Sequence, residues 1–137
     1  MNDALDLTSL KNALSQLQTS LDYCHSPLAA QDKALFCQFR AASIHAFEYT
    51  YELSIKFIRR KLESMEASIY SIDSLSYRDL IRVSFEKGLV STPEAWFLFR
   101  EKRNITSHTY SEDKASSVYK ITSEFLKEVQ FLLAKLS

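Results

Sequence analysis

The segment between residues 103 and 110 concentrates side chains of the kinds that perform acid-base and phosphate chemistry. It brings a guanidinium (Arg103), an amide (Asn104), an imidazole (His108) and a phenol (Tyr110) close together in the chain. Cleavage of RNA by its own 2′-hydroxyl needs a base for that proton, an acid for the leaving oxygen and a fixed positive charge for the phosphorane. Imidazole and guanidinium suit these tasks. Arg103 and His108 are therefore the candidate catalytic residues of this segment.

The spacing of these residues determines which of their side chains can share one face of a helix. On a continuous helix Arg103 and His108 would lie about 140° apart, whereas Asn104 and His108 would lie about 40° apart. The apolar stripe lapses around Ser107, so we expect the helix to unwind there and bring His108 to Arg103. Asn104 could then orient the imidazole. A second interpretation stays open, in which Arg103 and His108 satisfy helix-end carbonyls, Asn104 caps the helix and Tyr110 packs its ring.

A single histidine cannot easily serve as both acid and base in one step. Two copies of the chain across a twofold axis would supply two copies of His108 and two of Arg103 to one cleft, so we expect a homodimer. Arg100 and Lys102, with the basic residues between 56 and 61, could extend an RNA-binding surface. The alternative for these cations is a solvated helix end.

The composition narrows the remaining classes of function. The 137 residues fit one domain, which we expect to span residues 1–137. A single glycine, Gly88, excludes the glycine-rich loops that bind nucleotides. The seventeen basic and seventeen acidic residues cancel, so overall charge neither supports nor excludes RNA. With no long apolar run and an acidic amino-terminal segment, we expect a cytoplasmic protein without a membrane span.

Five helices are predicted to position the polar segment. Leucines at alternating steps of three and four indicate a first helix from about Ala4 to Cys24, and Pro27 then breaks it. A long second helix is predicted from about Ala29 to Glu66, because its apolar stripe continues without glycine or proline.

Capping residues mark the later helices. Ser76 opens a third helix that ends at Gly88, and Thr92 with Pro93 opens a fourth. A fifth begins after Ser111 and continues to the end of the chain. The short connections predict an all-α, up-and-down four-helix bundle, built on the first, second, fourth and fifth helices, with the third short and lateral.

The polar segment also resembles a family signature. Arg103-Asn104-x-x-x-His108-x-Tyr110 is similar to the Arg-x4-His-x-Tyr motif of HEPN toxins, the HepT-like proteins also described as nucleotidyltransferase substrate-binding proteins. Segments 47–53 and 82–89 and Trp96 follow the family's order, so the resemblance covers most of residues 30–125.

The resemblance implies a homodimeric helical bundle that cleaves RNA with Arg103 and His108 at a shared cleft, with no metal and no cofactor. It implies a partner, a minimal nucleotidyltransferase that acts as antitoxin and can transfer AMP to the tyrosine matching Tyr110. A noncatalytic substrate-binding subunit of such an enzyme is the alternative. Lys102 departs from the family pattern, in which an acid usually precedes the arginine, and we expect Arg103 to lack a neighbouring acid that orients it.

Overall fold

The computed structural model describes residues 5–65 and 69–137, and the elements within these ranges are helical. Their bounds are α1 Thr8–Cys24, α2 Pro27–Gln31, α3 Lys33–Met65, α4 Ile69–Asp73, α5 Tyr77–Glu86, α6 Pro93–Arg103, a 3-10 turn Thr106–His108, α7 Glu112–Tyr119 and α8 Thr122–Leu136. The helix α3 is the spine of the fold, because α1, α6, α7 and α8 all pack on it. The predicted helical bundle is confirmed.

The number of helices is higher than the five predicted. Ser26 caps the short helix α2, where its hydroxyl accepts a hydrogen bond from the Ala29 amide at 3.3 Å. The long helix α3 therefore begins at Lys33 and not at Ala29. The predicted limits at Ala4 and Glu66 lie outside the described residues.

The predicted last helix is divided into α7 and α8. At the junction the Ile121 amide bonds the Val118 carbonyl three residues back, at 3.2 Å, and the Thr122 hydroxyl bonds the Tyr119 carbonyl at 2.6 Å. This local tightening ends α7 although neither glycine nor proline is present. By contrast, the Ser76 cap of α5 is as predicted, since its hydroxyl accepts from an amide three residues on.

A cluster of fully buried aromatic rings holds α6 and α8 against α3. Phe125 packs edge-to-face on Phe47, with centroids 4.7 Å apart, and on Phe99 at 5.0 Å. Trp96 completes the cluster and donates its indole N–H to Glu128 at 3.3 Å. Edge-to-face packing favours one arrangement of these rings, so the cluster fixes the position of α6 along α3.

Two tyrosines, the buried Tyr51 and the half-buried Tyr77, attach α6 to its neighbours near the polar segment. The Tyr77 hydroxyl donates to the Trp96 carbonyl at 2.9 Å, and the Tyr51 ring lies 6.5 Å from both the Tyr77 and the Trp96 rings. Burial raises the pKa of Tyr51 to about 12, and it raises the pKa of Tyr77 as well. Both phenols therefore keep their protons at neutral pH and serve as uncharged packing groups. Within the described residues, every helix is too short or too polar to span a bilayer.

Candidate active site

The helix α6 ends at Arg103, at the start of the polar segment. The Asn104 amide bonds the Arg100 carbonyl at 3.0 Å, and the Ile105 amide bonds the Lys102 carbonyl at 3.1 Å. Backbone groups thus satisfy these carbonyls at the helix end. The helix unwinds about three residues earlier than we predicted, and a 3-10 turn follows that carries His108.

Two carboxylates of α3 hold the Arg103 side chain. Its Nε atom donates to Glu52 Oε1 at 2.6 Å, and its Nη1 atom lies 3.6 Å from Glu48 Oε2. Glu48 and Glu52 are four residues apart on α3 and so share one face of that helix. Lys102, next to Arg103 in the chain, supplies no acid, as expected. Arg103 is nevertheless paired with acids, because α3 supplies them.

Thr106 connects Arg103 to the turn that bears His108. Its hydroxyl bonds Glu48 Oε2 and lies 2.8 Å from the Arg103 carbonyl, and Arg103 Nη1 approaches its Oγ1 atom at 3.5 Å. The Thr106 carbonyl in turn accepts from the Thr109 hydroxyl at 3.0 Å. Because Thr106 is buried, these bonds give the turn one fixed position relative to α6 and α3.

His108 is exposed, and within the described part of the chain its ring takes no hydrogen bond. Its nearest ring contact is Tyr110, with centroids 6.3 Å apart and planes at 73°. The Asn104 side chain makes no hydrogen bond to His108 in the described structure, so its orienting role stays a prediction. Tyr110 is 87% exposed, which argues against the interpretation that its ring packs in the fold.

The side chains of Arg100 and Lys102, predicted to bind RNA, have partners other than those of Arg103. The Arg100 guanidinium carbon is 4.5 Å above the Tyr77 ring, a cation-π contact. The Lys102 Nζ atom donates to the Ser117 hydroxyl of α7 at 2.6 Å and lines a cleft of about 450 Å³ between α6 and α7. Both cations are therefore held by the fold, and their contact with RNA stays a prediction.

The Arg103 side chain does not cap its helix in the described structure. Arg103 directs its side chain to carboxylates and not to helix-end carbonyls, while His108 offers an accessible imidazole nearby in the chain. Glu48 and Glu52 were not recognised as site residues from the sequence. Their signal was a pair of acids four residues apart on α3, and nothing local links that pair to Arg103, which lies more than fifty residues later.

Comparisons with known proteins identify the family of the chain. Residues 5–137 match the family described as nucleotidyltransferase substrate binding protein like. A Haemophilus influenzae relative named Probable ribonuclease HepT is 33% identical over 143 residues, which cover 99% of this chain and 94% of the relative.

Two solved structures share the fold. A Haemophilus influenzae protein, described as having the fold of a substrate binding domain of a nucleotidyltransferase, has a TM-score of 0.90 at 32% identity, covering 96% of this chain and 98% of that one. A protein from Thermus thermophilus has a TM-score of 0.66 at 25% identity, with 93% and 98% covered. The sequence match spans nearly the whole chain, and the fold agrees with it. The chain therefore belongs to the nucleotidyltransferase substrate-binding-protein-like family.

Proposed function

We propose that the chain is a HEPN-type, metal-independent ribonuclease that serves as the toxin of a toxin–antitoxin pair in the cytoplasm. The observation that carries the proposal is the site itself. Arg103, held by carboxylates, ends α6, and the 3-10 turn Thr106–His108 that follows carries His108, which is exposed and has no hydrogen-bond partner in the described structure. The relative named Probable ribonuclease HepT supports RNA as the substrate class.

The proposed reaction is an attack of the RNA 2′-oxygen on the adjacent phosphorus. One His108 takes the proton from the 2′-hydroxyl while the O2′–P bond forms. The P–O5′ bond breaks, and the leaving O5′ receives a proton from His108 of the partner subunit. Arg103 stabilises the negative charge on the phosphorane oxygens. The products are a 2′,3′-cyclic phosphate and a 5′-hydroxyl, and every step uses side chains of this protein.

The two-histidine mechanism requires a homodimer with the polar segments facing each other. The exposure of His108 and Tyr110 is consistent with a shared cleft, since a second chain can reach both. Asn104 follows Arg103 directly and would orient the imidazole once the cleft is assembled.

A minimal nucleotidyltransferase is the proposed antitoxin. The Tyr110 phenol is the proposed acceptor of AMP, and its exposure of 87% leaves it open to another enzyme. Attaching an anionic nucleotide two residues from His108 would fill the cleft and repel RNA phosphates. The family description names a nucleotidyltransferase, which supports this class of partner.

An RNA cleavage assay tests the proposal. Purified wild-type chain incubated with total RNA or tRNA in the presence of chelator should degrade it, and His108→Ala should not. Identical RNA profiles for the two proteins would contradict the proposal. His25→Ala is the matched control, because it removes an exposed imidazole far from the polar segment in sequence.

The family description supports a second candidate, a noncatalytic subunit that presents substrate to a nucleotidyltransferase. Stable copurification with that enzyme, together with intact RNA at every chain concentration tested, would favour this candidate. Growth arrest on expression that Arg103→Ala relieves would exclude it.

A further inference from the structure

The Arg103 guanidinium has carboxylates at both of the edges through which it could bind a phosphate. A guanidinium binds two oxygens either through Nε and Nη2 or through Nη1 and Nη2. Glu52 occupies Nε at 2.6 Å, and Glu48 faces Nη1 at 3.6 Å. An RNA phosphate can therefore reach neither edge in full until a carboxylate moves.

The charge around Arg103 also requires that a carboxylate moves before a phosphate binds. One cation with two carboxylates leaves a net charge of −1 at the group that is meant to bind a phosphate. Glu48 and Glu52 also repel each other across one turn of α3, and Arg103 compensates that repulsion in the free protein. Phosphate binding to Arg103 becomes favourable when one of the two carboxylates withdraws.

The two carboxylates differ in what else they hold. The Glu52 side chain is 57% exposed. Within the described structure, its one hydrogen-bonded partner is Arg103. The Glu48 side chain is 35% exposed and also accepts the hydroxyl hydrogen of buried Thr106. Moving Glu52 breaks one solvated ion pair, whereas moving Glu48 leaves a buried hydroxyl without its carboxylate partner.

We propose that Glu48 and Glu52 divide the control of Arg103. Glu48 is a positioning residue: through Thr106 it fixes Arg103 relative to the turn that carries His108. Glu52 is a displaceable counter-ion that occupies the Nε edge of Arg103 until an RNA phosphate replaces it. The inference rests on the proposed ribonuclease function and adds a residue that sets the affinity for phosphate.

Binding measurements test the role of Glu52 without using activity. We would measure the anisotropy of a fluorescein-labelled single-stranded RNA oligonucleotide with full-length chains carrying His108→Ala, which blocks the proposed cleavage. Adding Glu52→Gln should tighten binding about two- to fivefold, the range expected for loss of an exposed ion pair. Glu101→Gln is the matched control, because Glu101 is exposed on α6, two residues from Arg103, and is not a partner of its guanidinium.

The control separates displacement from general electrostatics. If Glu101→Gln tightens binding as much as Glu52→Gln, the gain reflects only the lost negative charge, and the role of Glu52 is overturned. Weaker or unchanged binding by Glu52→Gln overturns it as well.

Kinetics on the His108-containing chain test the role of Glu48. Glu48→Gln should lower kcat about ten- to hundredfold while changing KM little, because a misplaced catalytic group affects the chemical step. Thr106→Val should have the same effect, and Thr106→Ser, which keeps the hydroxyl, should retain the wild-type kcat. A Thr106→Val chain with the wild-type melting temperature and full kcat overturns the role of Glu48.

The results also distinguish this inference from the proposed function. If wild type and His108→Ala both leave RNA intact, the ribonuclease proposal fails, while the anisotropy series still shows whether Glu52 competes with phosphate. If wild type cleaves RNA and His108→Ala does not, but Glu52→Gln binds RNA no better than Glu101→Gln, only the inference fails.

Discussion

At the scale of single residues, the site consists of a cation whose position is determined by acids from a distant part of the chain. Glu48 and Glu52 hold Arg103 from α3, and Thr106 extends the contact to the turn that bears His108. In the proposed mechanism Glu48 and Thr106 fix the guanidinium before substrate arrives, which is where electrostatic catalysis obtains its advantage over water, and Glu52 gives way to the phosphate.

A substitution at Tyr110 should affect neutralisation by the partner enzyme without affecting RNA cleavage. We predict that Tyr110→Phe cleaves RNA like wild type, because the phenol takes no part in the proposed proton transfers. The variant should nevertheless resist neutralisation by the partner nucleotidyltransferase with ATP, since it lacks the acceptor oxygen. The measurements are RNA cleavage before and after incubation with the partner, and intact mass. Tyr23→Phe, at another exposed tyrosine, is the control and should be neutralised as wild type is.

The residue-level prediction from sequence was partial for a physical reason. Arg103, Asn104, His108 and Tyr110 stand together in the chain, so their combination of chemical types is visible in one segment. The ion pairs of Arg103 join positions more than fifty residues apart, and only the packing of α6 on α3 brings them together. Acids that orient a cation in this way have no local signature.

At the scale of elements, α3 both supports the bundle and supplies the acids of the site. Its buried face carries Phe47 and Tyr51 to the aromatic cluster, while the adjoining face carries the two glutamates. Local capping made α5 predictable through Ser76. The division between α7 and α8 was not predictable, because the apolar stripe runs through Val118 and Phe125 without a residue that breaks helices.

Thr50 on α3 offers a stability prediction. Its hydroxyl is buried and has no hydrogen-bond partner in the described structure. Thr50→Val replaces that hydroxyl with a methyl group of similar size, and we predict a gain of about 1 kcal/mol in the free energy of unfolding. Ser54→Ala is the control, because the Ser54 hydroxyl bonds the Thr50 carbonyl at 2.8 Å, and it should lose stability. Urea denaturation measures both, and a loss of stability in Thr50→Val would contradict the prediction.

The ion pair between α3 and α7 gives a pH prediction. Hydrogen bonding from Arg40 at 2.6 Å holds the pKa of Glu112 below its ordinary value of 4.5. A carboxyl whose pKa is lower in the folded chain binds fewer protons when folded, so it stabilises the fold above pH 4.5 and ceases to do so as the pH falls through its folded pKa. Glu112→Gln should therefore be less stable than wild type at neutral pH and equally stable in acid. Thermal melting across this range measures the difference, and a deficit that does not change with pH would be the contrary result.

At the scale of the whole molecule, the proposal depends on assembly. The predicted bundle is confirmed, and the family match runs from residue 5 to residue 137. Each polar segment supplies one imidazole, and the proposed reaction needs an acid and a base together. Sequence and structure of one chain therefore define half of the proposed cleft.

Mixed dimers test this requirement. Wild-type and His108→Ala chains, refolded together in equal amounts, should pair at random, so about a quarter of the dimers carry two imidazoles. We predict cleavage at about a quarter of the rate of wild type alone at the same total chain concentration. Wild type refolded with buffer alone is the control for losses in refolding. Activity at half the rate, as independent chains would give, would contradict the shared cleft.

The central claim is that Arg103 and His108 cleave RNA through the 2′-hydroxyl, and the ends of the cleavage products test it most directly. A defined RNA substrate, digested by wild type in the presence of chelator, should give fragments ending in a 2′,3′-cyclic phosphate, with 5′-hydroxyls on their partners. Replacing the 2′-hydroxyl at the cleaved position with hydrogen should abolish the cut. Fragments with 3′-hydroxyl and 5′-phosphate ends, or the same cyclic products from His108→Ala at the wild-type rate, would contradict the account.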